Sequence, residues 1–404
     1  MTNQPTQVSP RLHLDFLDGL RGFAALYVAL SHTALLLSLE TKQVPHWASL
    51  ALRPLAFGHY AVAIFIVLSG YCLMLPVALA SDKHLRGGWR EYLLRRSRRI
   101  LPPYYAALIL SVLTMPLVTL VKRRAGVPLT ESDFLTPGNV LSHLLLVHNW
   151  SYVYFQSIDG PLWSVATEWQ IYFFLPFLLL PLWRRGGLAV TVAAAFGIGL
   201  APHFLCSVRD NFDWACPWYL GLFACGMAGA VISAGRDPKL QPLLEKAPWG
   251  LLTVVCAAAV GVGHFLGHFL PLGASRAGSD SSQWYMDILC GLFSVCLLIL
   301  CSRRAGAGKF WLTDFLQSSP AMMLGAMSYS LYLVHLPLEQ GMIWLLCSRH
   351  LAFFPLLATT FLLVVPVVVS LCYLFHRAFE RPFMPGRPRS EKAAEKASLL
   401  SPAP

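Results

Sequence analysis

The sequence predicts an all-α polytopic membrane protein of about ten transmembrane helices with both termini cytoplasmic, and three observations carry that prediction. Only 13% of its 404 residues are charged and 56% are hydrophobic, whereas roughly a quarter of an ordinary soluble domain is charged, and the mean hydropathy is +0.57. Apolar runs of about 20 residues, the length that crosses a hydrocarbon core, recur along nearly the whole chain with short polar loops between them. The basic residues gather beside these runs. The net charge of +11 is therefore read as topology information and not as a nucleic-acid surface.

The spans fall at about residues 13–38, 57–79, 99–121, 161–183, 187–206, 214–232, 248–270, 284–301, 320–346 and 353–376. The first carries Arg21 and His32 and no small-residue cleavage site follows it, so it reads as a retained helix and not a signal peptide. Residues 140–158 are the ambiguous stretch, because His148, Asn149, Trp150 and Asp159 interrupt the apolar run that begins at Val140. Charge decides the case. If this stretch does not cross, 14 of the Lys and Arg residues after position 160 join the cytoplasmic side with the Lys83–Arg99 loop, and only Arg209, Arg276 and Arg349 lie outside. An eleventh span inverts that ratio against the positive-inside rule. Residues 122–160 then form an outer loop with a shallow or re-entrant segment, and Lys122, Arg123 and Arg124 are the misfit. One transmembrane domain over 12–382 and a polar cytoplasmic tail over 383–404 account for the chain, with no room for a soluble catalytic domain. Of the ten cysteines none forms a CxxC pair or a zinc spacing; Cys206 and Cys216 flank a short outer loop and are candidates for a disulfide in an oxidising compartment.

Ionisable groups within a bilayer are costly and mark function or a structural pairing. Arg21 and His32 in LDGLRGFAALYVALSH share one helix face about 16 Å apart along the axis, with Asp18 one turn from Arg21. A snorkelling arginine and a satisfied core histidine are the bland alternative. Glu168, seven residues into PLWSVATEWQIYFFLP, shares its face with Ser164 and Tyr172 and falls at the depth of His32. A carboxylate beside an imidazole would orient it as a general base; a structural ion pair is the competing reading. Arg96 and Arg99 in RRSRRILPPYY, at i and i+3, suit phosphate oxygens, although an arginine run beside a span is commonly a topology signal. Ser69 beside Gly70, Trp163 beside Ser164, and Tyr332 and His335 on one face with Ser328 are candidates for lining an acceptor path. His264 and His268, at i and i+4, have no acid to complete a metal set, so no metal is expected.

Six segments in order, LDGLRGFAALYVALSH, FIVLSGY, RRSRRILPPYY, PLWSVATEWQIYFFLP, MSYSLYLVHLPL and FERPF, resemble the acyltransferase-3 family from Leu14 to Pro382. The resemblance implies transfer of an acyl group, commonly acetyl, from cytoplasmic acetyl-CoA or another acyl-CoA to a hydroxyl on a glycan, lipid or small molecule, in a multi-pass protein of the bacterial inner (plasma) membrane. It implies that His32 and Arg21 are the family's functional histidine and arginine and that Arg96 and Arg99 are its basic pair. The expected catalytic set is His32, Glu168 and Arg21, with Arg21, Arg96 and Arg99 on the CoA phosphates. The rival is a transporter or flippase that uses buried charges for movement, against which no inverted repeat is visible.

Overall fold

The computed structural model describes residues 14–40, 44–124, 126, 129, 134–207, 212–269, 284–305, 310–349 and 351–384, and among these it contains helices and no strand. In chain order the helices are α1 (Phe16–Glu40), α2 (His46–Leu52), α3 (Gly58–Leu79), α4 (Gly88–Arg124), α5 (Pro137–Leu144), α6 (Leu162–Phe174), α7 (Leu180–Leu205), α8 (Tyr219–Ala234), α9 (Gln241–Lys246), α10 (Trp249–Phe269), α11 (Trp284–Ala305), α12 (Trp311–Leu316), α13 (Ser319–Ala326), α14 (Ser328–Cys347), α15 (Phe353–Thr359) and α16 (Val365–Phe375). Among the described residues seven helical segments are long and apolar enough to cross a membrane, or eight if the bent α13–α14 pair is one span.

Three features relate these segments to the expected spans. Leu162–Leu205 is continuous over 44 residues, through a π-helical turn at Leu175–Leu179, yet Gly187 sits at φ 77, ψ −175. That left-handed backbone is open to glycine and breaks the segment into two helices at the junction the sequence suggests. The third expected span starts earlier than its apolar run, because α4 continues back to Gly88 through the charged stretch that contains all four arginines. The segment expected at 248–270 is helical, but its apolar stretch, Trp249–His264, falls short of a full span.

Residues 134–161 contain no helix long enough to cross a membrane. Thr136 and Asn139 form a reciprocal capping box at the start of α5, which runs for only 8 residues, about 12 Å. Tyr104 and Tyr105 of α4 donate to the carbonyls of His143 and Leu144 at 2.9 Å each, while Ser111, about 10 Å further along α4, donates to Asp159 at 3.0 Å. The segment therefore packs along α4, with residues 143–144 and 159 about 10 Å apart on it. Asp159 is buried, and the loss of hydration pushes its carboxyl up to about 8.

The bundle is centred on α3 and α8, whose backbones touch. A Cβ on Gly70 would lie 2.1 Å from the Phe223 carbonyl oxygen, and one on Gly226 would lie 2.0 Å from that of Val67. Small residues at such a crossing are what let two helices approach without a hydrophobic driving force between them. α1 lies in a groove formed by α3, α13 and α14, so its polar residues face protein on several sides. The chain bends by 71° between α13 and α14, which turns α14 into the bundle alongside α1.

Candidate active site

Two polar clusters occupy the interior, one toward each end of α1. At the first, Arg21 lies 3.5 Å from Asp18, and Glu168, Asp18 and Tyr172 are among the ionisable groups around it. Glu168 accepts hydrogen bonds at a single oxygen, Oε1, from Ser69 of α3 and from Tyr172 at 2.6 Å. Arg99 has Arg21, Arg96, Glu380 and Tyr172 as its ionisable neighbours. The four arginines of the RRSRR run divide by helix face: Arg95 is exposed and pairs with Glu91, Arg98 is exposed, and Arg96 and Arg99 turn inward. The Nε of Arg96 is buried without a hydrogen-bond partner. Glu380, from the FERPF segment, is held by the Ser330 N–H and hydroxyl at 3.2 and 2.6 Å and by His376 Nδ1 at 2.9 Å. Three guanidinium groups therefore converge on a region whose carboxylates are already engaged, an arrangement suited to phosphate.

At the other end of α1, His32 Nδ1 lies 2.9 Å from His335 Nε2. The tautomers follow from the remaining contacts. His335 Nδ1 faces the carbonyls of Leu331 and Tyr332 at 2.9 Å each; carbonyls only accept, so this nitrogen carries the proton and Nε2 of His335 is the acceptor. His32 must then donate from Nδ1, which leaves the lone pair on its Nε2. His335 is fully buried and His32 only partly so. The pair thus has the form of a general base and the group that orients it. Glu339, one turn beyond His335, is almost completely buried with neither carboxylate oxygen hydrogen-bonded, and Thr33 lies beside it.

Tyr332 joins the two clusters. Its hydroxyl is 2.6 Å from Ser164 Oγ, its ring meets Phe65 edge-on at 5.7 Å, His335 is one turn away, and Glu168 and Asp159 are among its ionisable neighbours. Trp163 lines the His32 end, stacked on His59 with ring centroids 6.1 Å apart. Gly58 lies against the Ser31 hydroxyl, which puts His59 at the level of His32.

The structure thus brings together the residues the sequence selects, but in different partnerships. Glu168 is bonded to Ser69 and Tyr172 in the arginine cluster, and the ring partner of His32 is His335, placed by sequence reasoning on the acceptor path. The depth estimate failed because counting from the expected span end put Glu168 too close to the far end of α1. Cys206 and Cys216, the candidate disulfide pair, are free thiols here, one exposed and one buried. The His264 side chain is exposed, and that of His268 lies outside the described residues. Sequence reading missed Glu339, His59, Asp287 and Glu380. Glu339 and Asp287 were detectable as acids in apolar helices and Glu380 by its i,i+4 spacing from His376; His59 has partners 160 and 228 positions away in sequence, and nothing local signals them. An apolar cavity of about 550 Å³ lined by Leu20, Tyr27, Ile64 and Phe293 among others carries none of these polar groups.

A helical membrane protein with cationic and imidazole clusters buried in one bundle is the class that this fold and site define. The model of the acyltransferase domain family matches residues 14–377, and the chain belongs to that family. It is similar to a putative peptidoglycan O-acetyltransferase, YrhL, of Bacillus subtilis, at 31% identity over 41% of this chain and 23% of the relative. It is also similar to the O-acetyltransferase OatA of Staphylococcus aureus, at 23% identity over 82% of this chain and 51% of the relative. The peptidoglycan O-acetyltransferase OatA of Listeria monocytogenes is 23% identical over 81% of this chain and 50% of its own length. The chain spans about half the length of these relatives, or less. No solved structure matches.

Proposed function

We propose that the chain is a multi-pass membrane acyltransferase that moves an acyl group, most simply acetyl, from acyl-CoA to a hydroxyl of a glycan, lipid or small-molecule acceptor. The observation that carries this reading is the arginine cluster and the His32–His335 pair standing about three turns apart on α1, joined by Tyr332 and Ser164. That separation, about 16 Å, is of the order a pantetheine arm spans. Arg96, Arg99 and Arg21 hold the donor's phosphates. His32 Nε2 takes the acceptor hydroxyl's proton as its oxygen bonds to the thioester carbonyl carbon. The tetrahedral intermediate then collapses, the carbon–sulfur bond breaks, and the departing CoA thiolate is protonated by the His32 imidazolium. His335 positions the ring, and Glu168 serves as the fixed counter-charge of the arginines. A glycan is the acceptor that the names of the relatives favour, and membership of an acyltransferase family favours transfer over transport.

In this reading Gly187 separates two spans and α10 is another, which together with the bent α13–α14 pair makes ten. The basic clusters favour a topology with both termini and the arginine site cytoplasmic and His32 near the outer face, in what this reading takes to be a bacterial plasma membrane. The testing experiment is incubation of purified protein in lipid nanodiscs with acetyl-CoA, reading free CoA with and without chito-oligosaccharide acceptors. Acceptor-stimulated CoA release that is lost in His32→Ala supports the reading. Release that is independent of both His32 and acceptor contradicts it.

A further inference from the structure

We propose that His59, Cys216 and Asp287 form a zinc-type metal site at the His32 end of the bundle. One imidazole nitrogen, one thiol sulfur and one carboxylate oxygen from these residues lie within 4.8 Å of one another. They come from three separate places in the chain: the first turn of α3, the turn before α8, and α11. Imidazole, thiolate and carboxylate together are the donor set of a borderline-soft divalent ion, and three protein donors leave a fourth position open.

Three further observations point to a ligand. Asp287 is completely buried; its Oδ2 accepts from Trp218 Nε1 at 2.8 Å and lies 3.1 Å from His59 Nε2, while its Oδ1 has no hydrogen-bond partner. A carboxylate anchored at one oxygen by an indole and unsatisfied at the other has the form of a metal ligand held by an outer partner, since an orphaned buried oxygen is otherwise costly. Cys216 sits at φ 49, ψ 59, a left-handed conformation that is strained for a residue with a side chain and that persists where the surroundings over-determine it. It is also buried, away from the exposed Cys206. Finally, the His59 side chain is 41% exposed, so the site reaches the protein surface. A site of this kind would pin α3, α8 and α11 together beside the acyl-transfer chamber.

The test needs neither acyl donor nor acceptor. The full-length protein is purified in detergent without chelator and its metal content measured by mass spectrometry; a chelator-stripped sample is then titrated with Co(II) and the thiolate-to-cobalt charge-transfer absorption recorded. The expected result is one equivalent of zinc per chain and a saturable charge-transfer band. Both should fall at least tenfold in Cys216→Ser and in Asp287→Asn and remain unchanged in Cys206→Ser. Cys216→Ser that elutes as a single species with wild-type helicity guards against misfolding as the cause of loss. Wild-type protein that carries no first-row metal and gives no charge-transfer band overturns the proposal and leaves His59–Asp287 as a simple ion pair. So does a band that survives in Cys216→Ser.

Discussion

Glu168→Gln separates a counter-charge from a catalytic partner. The two hydrogen bonds that Glu168 receives, from Ser69 and Tyr172, converge on one oxygen, and a glutamine carbonyl can accept both, so the substitution removes charge while keeping shape. A hydrogen bond to an ionised group contributes about 1.5–3 kcal/mol and a neutral one about 0.5–1.5. Two such losses, together with that of a counter-charge to Arg21, destabilise the unliganded protein by about 2–3 kcal/mol. The thiol of CoA is not needed for the test; its phosphates are. With one negative charge fewer, the arginine cluster should bind CoA at least as tightly as wild type, and saturating CoA should restore more stability to the variant than to wild type. The assay is thermal unfolding in detergent with and without CoA, combined with CoA affinity by calorimetry. The reasoning is refuted if stability is unchanged and acyl transfer is abolished as fully as in His32→Ala, which would make Glu168 a partner in the chemistry.

Other outcomes follow from the same contacts. Arg99→Ala should weaken CoA binding about 10- to 100-fold, the equivalent of one charge-assisted phosphate contact, with lysine restoring only part because it lacks the planar fork; calorimetry measures this. Asp159, with its carboxyl pushed up to about 8, holds a proton in the folded state that it loses near pH 4 when unfolded. Its contribution is therefore fully present below pH 4 and is lost as pH rises toward 8, by at most about 1.4 kcal/mol per pH unit. Asp159→Asn should flatten that decline in a denaturation series from pH 5 to 8, after allowance for His143 and His148, whose burial lowers them to about 4 and about 3 and weakens the fold as pH falls below about 6.5. Cysteines placed at Asp159 and Arg124 should react with an impermeant maleimide from one face and a cysteine at Arg185 from the other; labelling of 124 and 159 from opposite faces would break the proposed topology.

Much of the architecture was legible because a bilayer imposes length and composition on each span. That residues 140–158 hold no complete span was readable from His148, Asn149, Trp150 and Asp159, which interrupt the apolar run before it reaches the length of one. Gly187 was readable as a boundary because Arg184 and Arg185 stand just before it. The division of the arginine run was only half legible: Arg96 and Arg99 share a face by helical spacing, but which face points inward depends on α14 and Glu380. The pairing of His32 with His335 was not legible. The two rings are 303 positions apart, and their meeting requires the 71° bend before α14, which no local pattern specifies. The same holds for His59 and Asp287, brought together by the α3–α8–α11 packing.

The most direct test of the account is single-turnover acyl transfer from acetyl-CoA by the purified protein, with CoA affinity measured on the same preparations. His32→Ala and His335→Ala should bind CoA as wild type does, because His32 stands about three turns from Arg21 along α1 and His335 is its ring partner. Transfer in His32→Ala should be lost entirely, and in His335→Ala it should fall by about 10- to 1000-fold, since the base remains but its tautomer is no longer fixed. If His32→Ala, folded and CoA-bound, transfers its acyl group at the wild-type rate, the histidine pair is structural and the chemistry lies elsewhere.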